Sequence, residues 1–200
     1  MLNPRKTNVA AICAVILVAI SITIVSAPVS YVGNYTKFGF VDKTTGAPAS
    51  VVVVGEKAPG GASDTIAAAD VAAQIGNLAF ITKTATYPTT AEIPGLAKVT
   101  GVTITTTIRY DITKSIALLD SEVTTAIKTT YNLILVGGPV ANAIVKDLVD
   151  KKLSKVDWTK GEGTVEYIIN PWGTGKDVLI VAGPTRKETR AAAADLITKL

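Results

Sequence analysis

Two glycine turns hold the residues of this sequence best placed for ligand chemistry. Val136-Gly137-Gly138-Pro139 and Ala182-Gly183-Pro184-Thr185 each end a short apolar run and open a helical pattern. In an open α/β sheet such strand ends collect free backbone N–H groups and the positive end of a helix dipole. Neither turn has the glycine spacing of the dinucleotide fingerprint, and each proline removes an N–H that a phosphate would use. Gly173-Thr174-Gly175-Lys176 fails as a phosphate loop on three counts. Asn170 replaces the earlier glycine, Asp177 replaces the Ser or Thr, and the phrase precedes its strand instead of following it. Tight turn geometry is the reading the residues favour.

The side chains of most enzymes are missing. The chain has no histidine, and its one cysteine, Cys13, lies inside an apolar N-terminal run. Zinc sites, nucleophilic triads, imidazole acid-base chemistry and a disulfide framework all need residues absent from the rest of the sequence. Asp64, Asp70, Asp120 and Glu122 have no spacing that unites them, and no alternating acidic loop of the calcium type occurs. No catalytic and no cofactor-binding residue is therefore assigned. A divalent cation such as calcium, held by residues distant in sequence, is not readable from spacing. The formal charge of +4 includes Arg5 and Lys6 ahead of the apolar run, and Lys151, Lys152 and Lys155 alternate with Asp150 and Asp157. That pattern is a solvated helix end, and nucleic acid is not an expected partner.

The elements that position the glycine turns follow from periodicity. Leu133–Val136, Val51–Val54 and Val178–Ala182 are all-apolar runs, too short for helices and suited to strands covered on both faces. Each feeds a helical pattern. Pro139 suits a first helical position before Ala141, Ile144, Val145, Leu148 and Val149; Ser63 caps a helix with Asp64 in its first turn; Thr185 and Glu188 form a capping box for a helix to Leu200. Val165, Tyr167 and Ile169 form another strand, Phe38 and Phe40 alternate as on a short strand, and Leu78–Ile81 completes a strand-helix-strand unit. Residues 82–100, with Pro88 and Pro94, read as a loop or a small excursion. Val102, Ile104, Ile108 and Tyr110 alternate with Thr103, Thr105, Thr107 and Arg109, the period of an edge or ribbon strand with one covered face. Whether Ser121-Glu122 starts a short helix is open. The expected fold is α/β, a mostly parallel sheet with helices on both faces, plus a small β excursion and an N-terminal hydrophobic helix.

With 48% hydrophobic residues and a mean hydropathy of +0.39, the chain can bury a core. Val9 to Ala27 carries no charge and, at ~1.5 Å per residue, nearly crosses a hydrocarbon core. Residues 1–30 are expected to be a signal peptide or a membrane anchor, with residues 31–200 a single exported α/β domain and a Thr/Pro-rich loop and β excursion at 82–131. Val25-Ser26-Ala27 offers a signal cleavage site after Ala27, although Pro28 follows it unfavourably; an uncleaved segment would hold the membrane through residues 9–27. Asn34-Tyr35-Thr36 is an N-glycosylation sequon.

Several ordered motifs resemble a known family. Val51-Val52-Val53-Val54-Gly55 followed by Ser63-Asp64 and Ala67-Ala68-Ala69-Asp70-Val71-Ala72 looks like the N-terminal conserved region of methanogen-type archaeal S-layer proteins. Leu118-Leu119-Asp120-Ser121-Glu122-Val123, Asn132 through Asn142, Gly161-Glu162-Gly163, Gly175-Lys176, Leu179-Ile180-Val181-Ala182-Gly183 and Arg190-Ala191-Ala192-Ala193 are similar to its C-terminal conserved region, in the same order. The resemblance implies a structural cell-surface protein of a paracrystalline coat, with itself or larger S-layer subunits as partners. Family members carry long, largely β regions between the two conserved parts, where this chain has only residues 82–131. A minimal lattice subunit, an accessory protein and a membrane-held anchor are all compatible with that. The alternative function is a membrane-tethered extracellular module that binds cell-wall polysaccharide or a small ligand at the helix N-termini near Gly138 and Pro184.

Overall fold

Runs of valine, isoleucine and leucine with no polar member have no face to offer water, so they settle where both faces are covered. In the computed structural model, which describes residues 29–56, 61–91 and 99–200, β2 (Ser50–Val54), β6 (Asn132–Val136) and β8 (Val178–Ala182) are such strands, buried and mutually parallel. They form the middle of a six-stranded sheet ordered β1-β7-β8-β6-β2-β5, with β1 (Ser30–Val32), β5 (Ala117–Leu119) and β7 (Thr164–Ile168) completing it. The pleat sends Val52, Val54, Ile134, Val136, Leu179 and Val181 toward α1 (Gly61–Leu78) and α4 (Arg186–Thr198). Val51, Val53, Leu133, Leu135, Val178 and Ile180 face α3 (Ala143–Asp150) instead. On the first face Ala67, Ala68, Ala192 and Ala193 are buried, and such small side chains let both helices lie close to the strands.

The helices on both faces match expectation, whereas the sheet is mixed, not mostly parallel. β7 is antiparallel to β8, and β1 is antiparallel to β7. Only residues 169–177 join β7 to β8, fewer than the dozen or so that a parallel crossover needs. Leu78–Ile81 does not close a strand-helix-strand unit. α1 runs through Leu78, and the parallel neighbours of β2 are β5 and β6. Phe38 and Phe40 lie in irregular chain, packed on each other edge-on at 4.7 Å. Asp120–Glu122 forms a single 3-10 turn before α2 (Thr125–Thr130). The N-terminal hydrophobic helix falls outside the described residues.

Residues 82–100 are not a simple loop. β3 (Phe80–Ala91) and β4 (Val99–Arg109) form a separate two-stranded antiparallel ribbon. Pro88 is tolerated because a two-stranded ribbon has only edge strands, and the register shifts between Tyr87 and Thr90. On one side Ile81 faces Ile108 and Ala85 faces Ile104; on the other, Thr84 faces Thr105 and Thr86 faces Thr103, hydroxyls 3.5 and 3.3 Å apart. Among the described residues nothing covers the first side as its period predicts, a side apolar but for the Lys83–Thr106 pair: Ile104 is 49% exposed and Ile108 42%.

Candidate functional site

The carboxyl ends of β2, β6 and β8 meet at one end of the sheet, and a buried amide locks the first two together. Asn142 donates through Nδ2 to the carbonyls of Val53 (3.2 Å) and Val136 (3.4 Å), and its Oδ1 accepts from the amides of Ile144 and Val145. It is thus the N-cap of α3 and a clamp between two strands. Pro139 does not open that helix; residues 139–141 form a turn and α3 starts at Ala143. Asp120 works beside it, accepting from Glu56 N at 3.0 Å and Ala143 N at 2.7 Å. A side chain on Gly55 would put its Cβ 1.6 Å from the Ala141 carbonyl, so this packing requires glycine there. Gly137, with φ +99°, turns the chain away from β6.

Between the turns after β6 and β8 lies a cavity of about 370 Å³, walled by Asp64, Gly138, Val140, Trp158, Thr185 and Arg186, among others. The two glycine turns singled out in the sequence therefore do converge. Asp64 lies in the first turn of α1, as expected, although the helix begins at Gly61 and Ser63 lies within it; there the carboxylate lines the cavity. The side chain is 6% exposed, its Oδ1 is buried without a partner, and neither oxygen accepts a hydrogen bond among the described residues. Burial pushes its carboxyl above the ordinary aspartate value, against the pull of the Arg186 guanidinium. Across the cavity, Thr185 occupies the N-cap of α4 but its side chain caps no amide. Its hydroxyl donates to the Glu188 carboxylate, so the expected reciprocal capping box does not form, and the first-turn amides of α4 have no partner from Thr185.

The other carboxylates are separate, as their spacing suggests. Glu122 accepts from Leu119 N, and Asp70 faces Arg190 at 3.8 Å on the exposed surface between α1 and α4. Among the described residues no three metal-ligating side chains cluster. Sequence reasoning missed Glu166, wholly buried in β7, which accepts from Ser30 Oγ, from Ser154 Oγ at 2.5 Å and from Lys155 N at 2.7 Å. Its position in an alternating strand was the available signal, a charged residue where the neighbouring strands are apolar. Asn34 is exposed just after β1, with Thr36 Oγ1 donating to its Oδ1 at 3.2 Å and Tyr35 buried between them. Ala27 lies outside the described residues.

The chain matches the family model described as "S-layer like family, outer domain" over residues 34–200. The chain belongs to this S-layer family. An S-layer protein of Methanocaldococcus jannaschii is 45% identical over 91 residues, covering 44% of this chain and 15% of the relative. S-layer proteins of Methanothermococcus thermolithotrophicus and Methanococcus voltae are 47% and 41% identical over 88 and 85 residues, covering 15% and 14% of their own lengths. The chain thus spans about a seventh of the curated relatives it matches. On the S-layer fold, the ordered motifs fall on packing features. Gly55 approaches Ala141, Asp120 and Asn142 lock the strand ends, and Gly163 lies so near α4 that a Cβ there would be 1.9 Å from the Glu188 carbonyl.

Proposed function

We propose that this chain is a structural component of an archaeal S-layer, without catalytic activity, whose β3–β4 ribbon docks it to other copies or to larger S-layer subunits. The uncovered apolar side of that ribbon supports this most directly. Exposed β-branched side chains on a ribbon with two open edges are an aggregation hazard unless a partner takes them up. The opposite side is a threonine ladder that hydrogen-bonds across the strands and can present hydroxyls to a neighbour. In this reading residues 31–200 form one domain at the cell surface, residues 1–30 direct export and hold the membrane if they are kept, and Asn34 carries a glycan. No cofactor is required.

Electron microscopy of the purified protein under assembly conditions tests the reading, comparing it with a variant whose residues 82–107 are replaced by Asn-Gly. Ordered sheets or coat incorporation for the intact chain, lost in the variant, are expected. A monomer that leaves cell envelopes unchanged refutes it.

A further inference from the structure

We infer that the cavity between the β6 and β8 turns binds a single neutral glycosyl residue, with Asp64 accepting from its hydroxyls and the first turn of α4 donating to them. Asp64 lines the cavity, and its carboxylate accepts no hydrogen bond among the described residues. Arg186 and the uncapped α4 amides offer donors from the other wall. A ligand serving both walls needs donors and acceptors on one small frame, which is the character of a sugar ring.

The competing occupants fit less well. A free anion would meet the Asp64 carboxylate. An inorganic cation would find one carboxylate, beside two helix N-termini and a guanidinium that repel it. A single water fills about 30 Å³, a small part of the space. Asp64 and Arg186 balance in charge, which favours a neutral ligand, and Val140, Pro139 and Pro184 supply apolar surface for ring C–H groups.

The Asn34 sequon would place a glycan near. Gly33 N donates to Val165 O, Val165 pairs with Val181, and Gly183 of the cavity wall is two residues on. The Asn34 sequon therefore sits at the cavity's end of the sheet, about two strand spacings or ~10 Å from β8 in the hydrogen-bonding direction. The glycosyl residue can be free cell-wall saccharide or the tip of an Asn34 glycan on this or a neighbouring copy.

Saturation-transfer NMR on the full chain in detergent separates these cases, with glucose, galactose and N-acetylglucosamine as probes and alanine, glycine betaine and calcium chloride as controls. Unglycosylated protein is expected to transfer saturation to at least one sugar. Asp64→Ala should lower that affinity at least tenfold, and so should Val140→Arg, which puts a long cation on the cavity rim at a residue 82% exposed, where the side chain packs on little of the fold. Binding to both native glycoprotein and Asn34→Gln identifies a free saccharide. Binding that appears only after Asn34→Gln identifies the chain's own glycan as the occupant. No sugar signal in the unglycosylated protein, unchanged affinity in a folded Asp64→Ala, or Asp64-dependent binding of a control in place of any sugar overturns the inference.

Discussion

Asn142 uses both ends of its amide, so its loss strands groups in two strands and a helix at once. Asn142→Ala removes an N-cap and leaves two buried carbonyls short of a donor, a loss of about 2–4 kcal/mol. The expected readout is a lower urea midpoint with an unchanged m-value. Asp64 makes the opposite prediction. Its folded pKa is raised, so the folded state binds a proton more readily than the unfolded chain, and its charge opposes folding at neutral pH. That penalty shrinks as pH falls through the raised folded value and is gone below the unfolded value near 3.8. Asp64→Asn should therefore melt higher than the parent at pH 7, and the gap should close in scans below pH 3.8; a variant that melts lower at pH 7 would show that its helix-terminal charge dominates. The two residues also differ in legibility. A strong proline signal at 139 drew the helix start four residues too early, while nothing in a one-dimensional pattern reports that Asp64 has no donor among the described residues.

At the scale of elements, periodicity found what burial enforces. The runs Val51–Val54, Leu133–Val136 and Val178–Ala182 read as doubly covered strands because both faces are covered, and all three are. Direction was a different matter: a period of two is the same for parallel and antiparallel strands, and the short link at residues 169–177 was the clue that β7 reverses. The ribbon was half legible, since β4 alternates cleanly while Pro88 disguised β3. Because the ribbon pairs chiefly with itself, replacing residues 82–107 by Asn-Gly should move Tm by less than about 4 °C, roughly 1 kcal/mol for a domain of this size. Gly163 belongs to this scale too, because it sets how closely the chain before β7 passes α4. Gly163→Ala should destabilise by about 1–3 kcal/mol through forced separation of that pair, read from the same urea midpoint.

For the whole molecule, stability should be graded from the sheet's middle outward. Hydrogen exchange is expected to be slowest at Val52, Ile134 and Leu179, which share one row of the register, and fastest in the ribbon; equal protection in both would contradict a core centred on β2, β6 and β8. Family membership was legible because its motifs are packing rules spread along the chain, whereas assembly was not, since a surface that awaits a partner looks in sequence like a strand that already has one. The base of the ribbon carries a further consequence. Phe80 and Arg109 are paired neighbours, and Tyr110 N bonds to the Ala79 carbonyl, so the chain leaves the α/β body and returns to it at one point. Such a base is a graft point: doubling the length of flexible chain beyond it adds only ~0.6 kcal/mol to closure and displaces no strand of the sheet. The S-layer body should therefore tolerate wholesale change in the size of what it carries there.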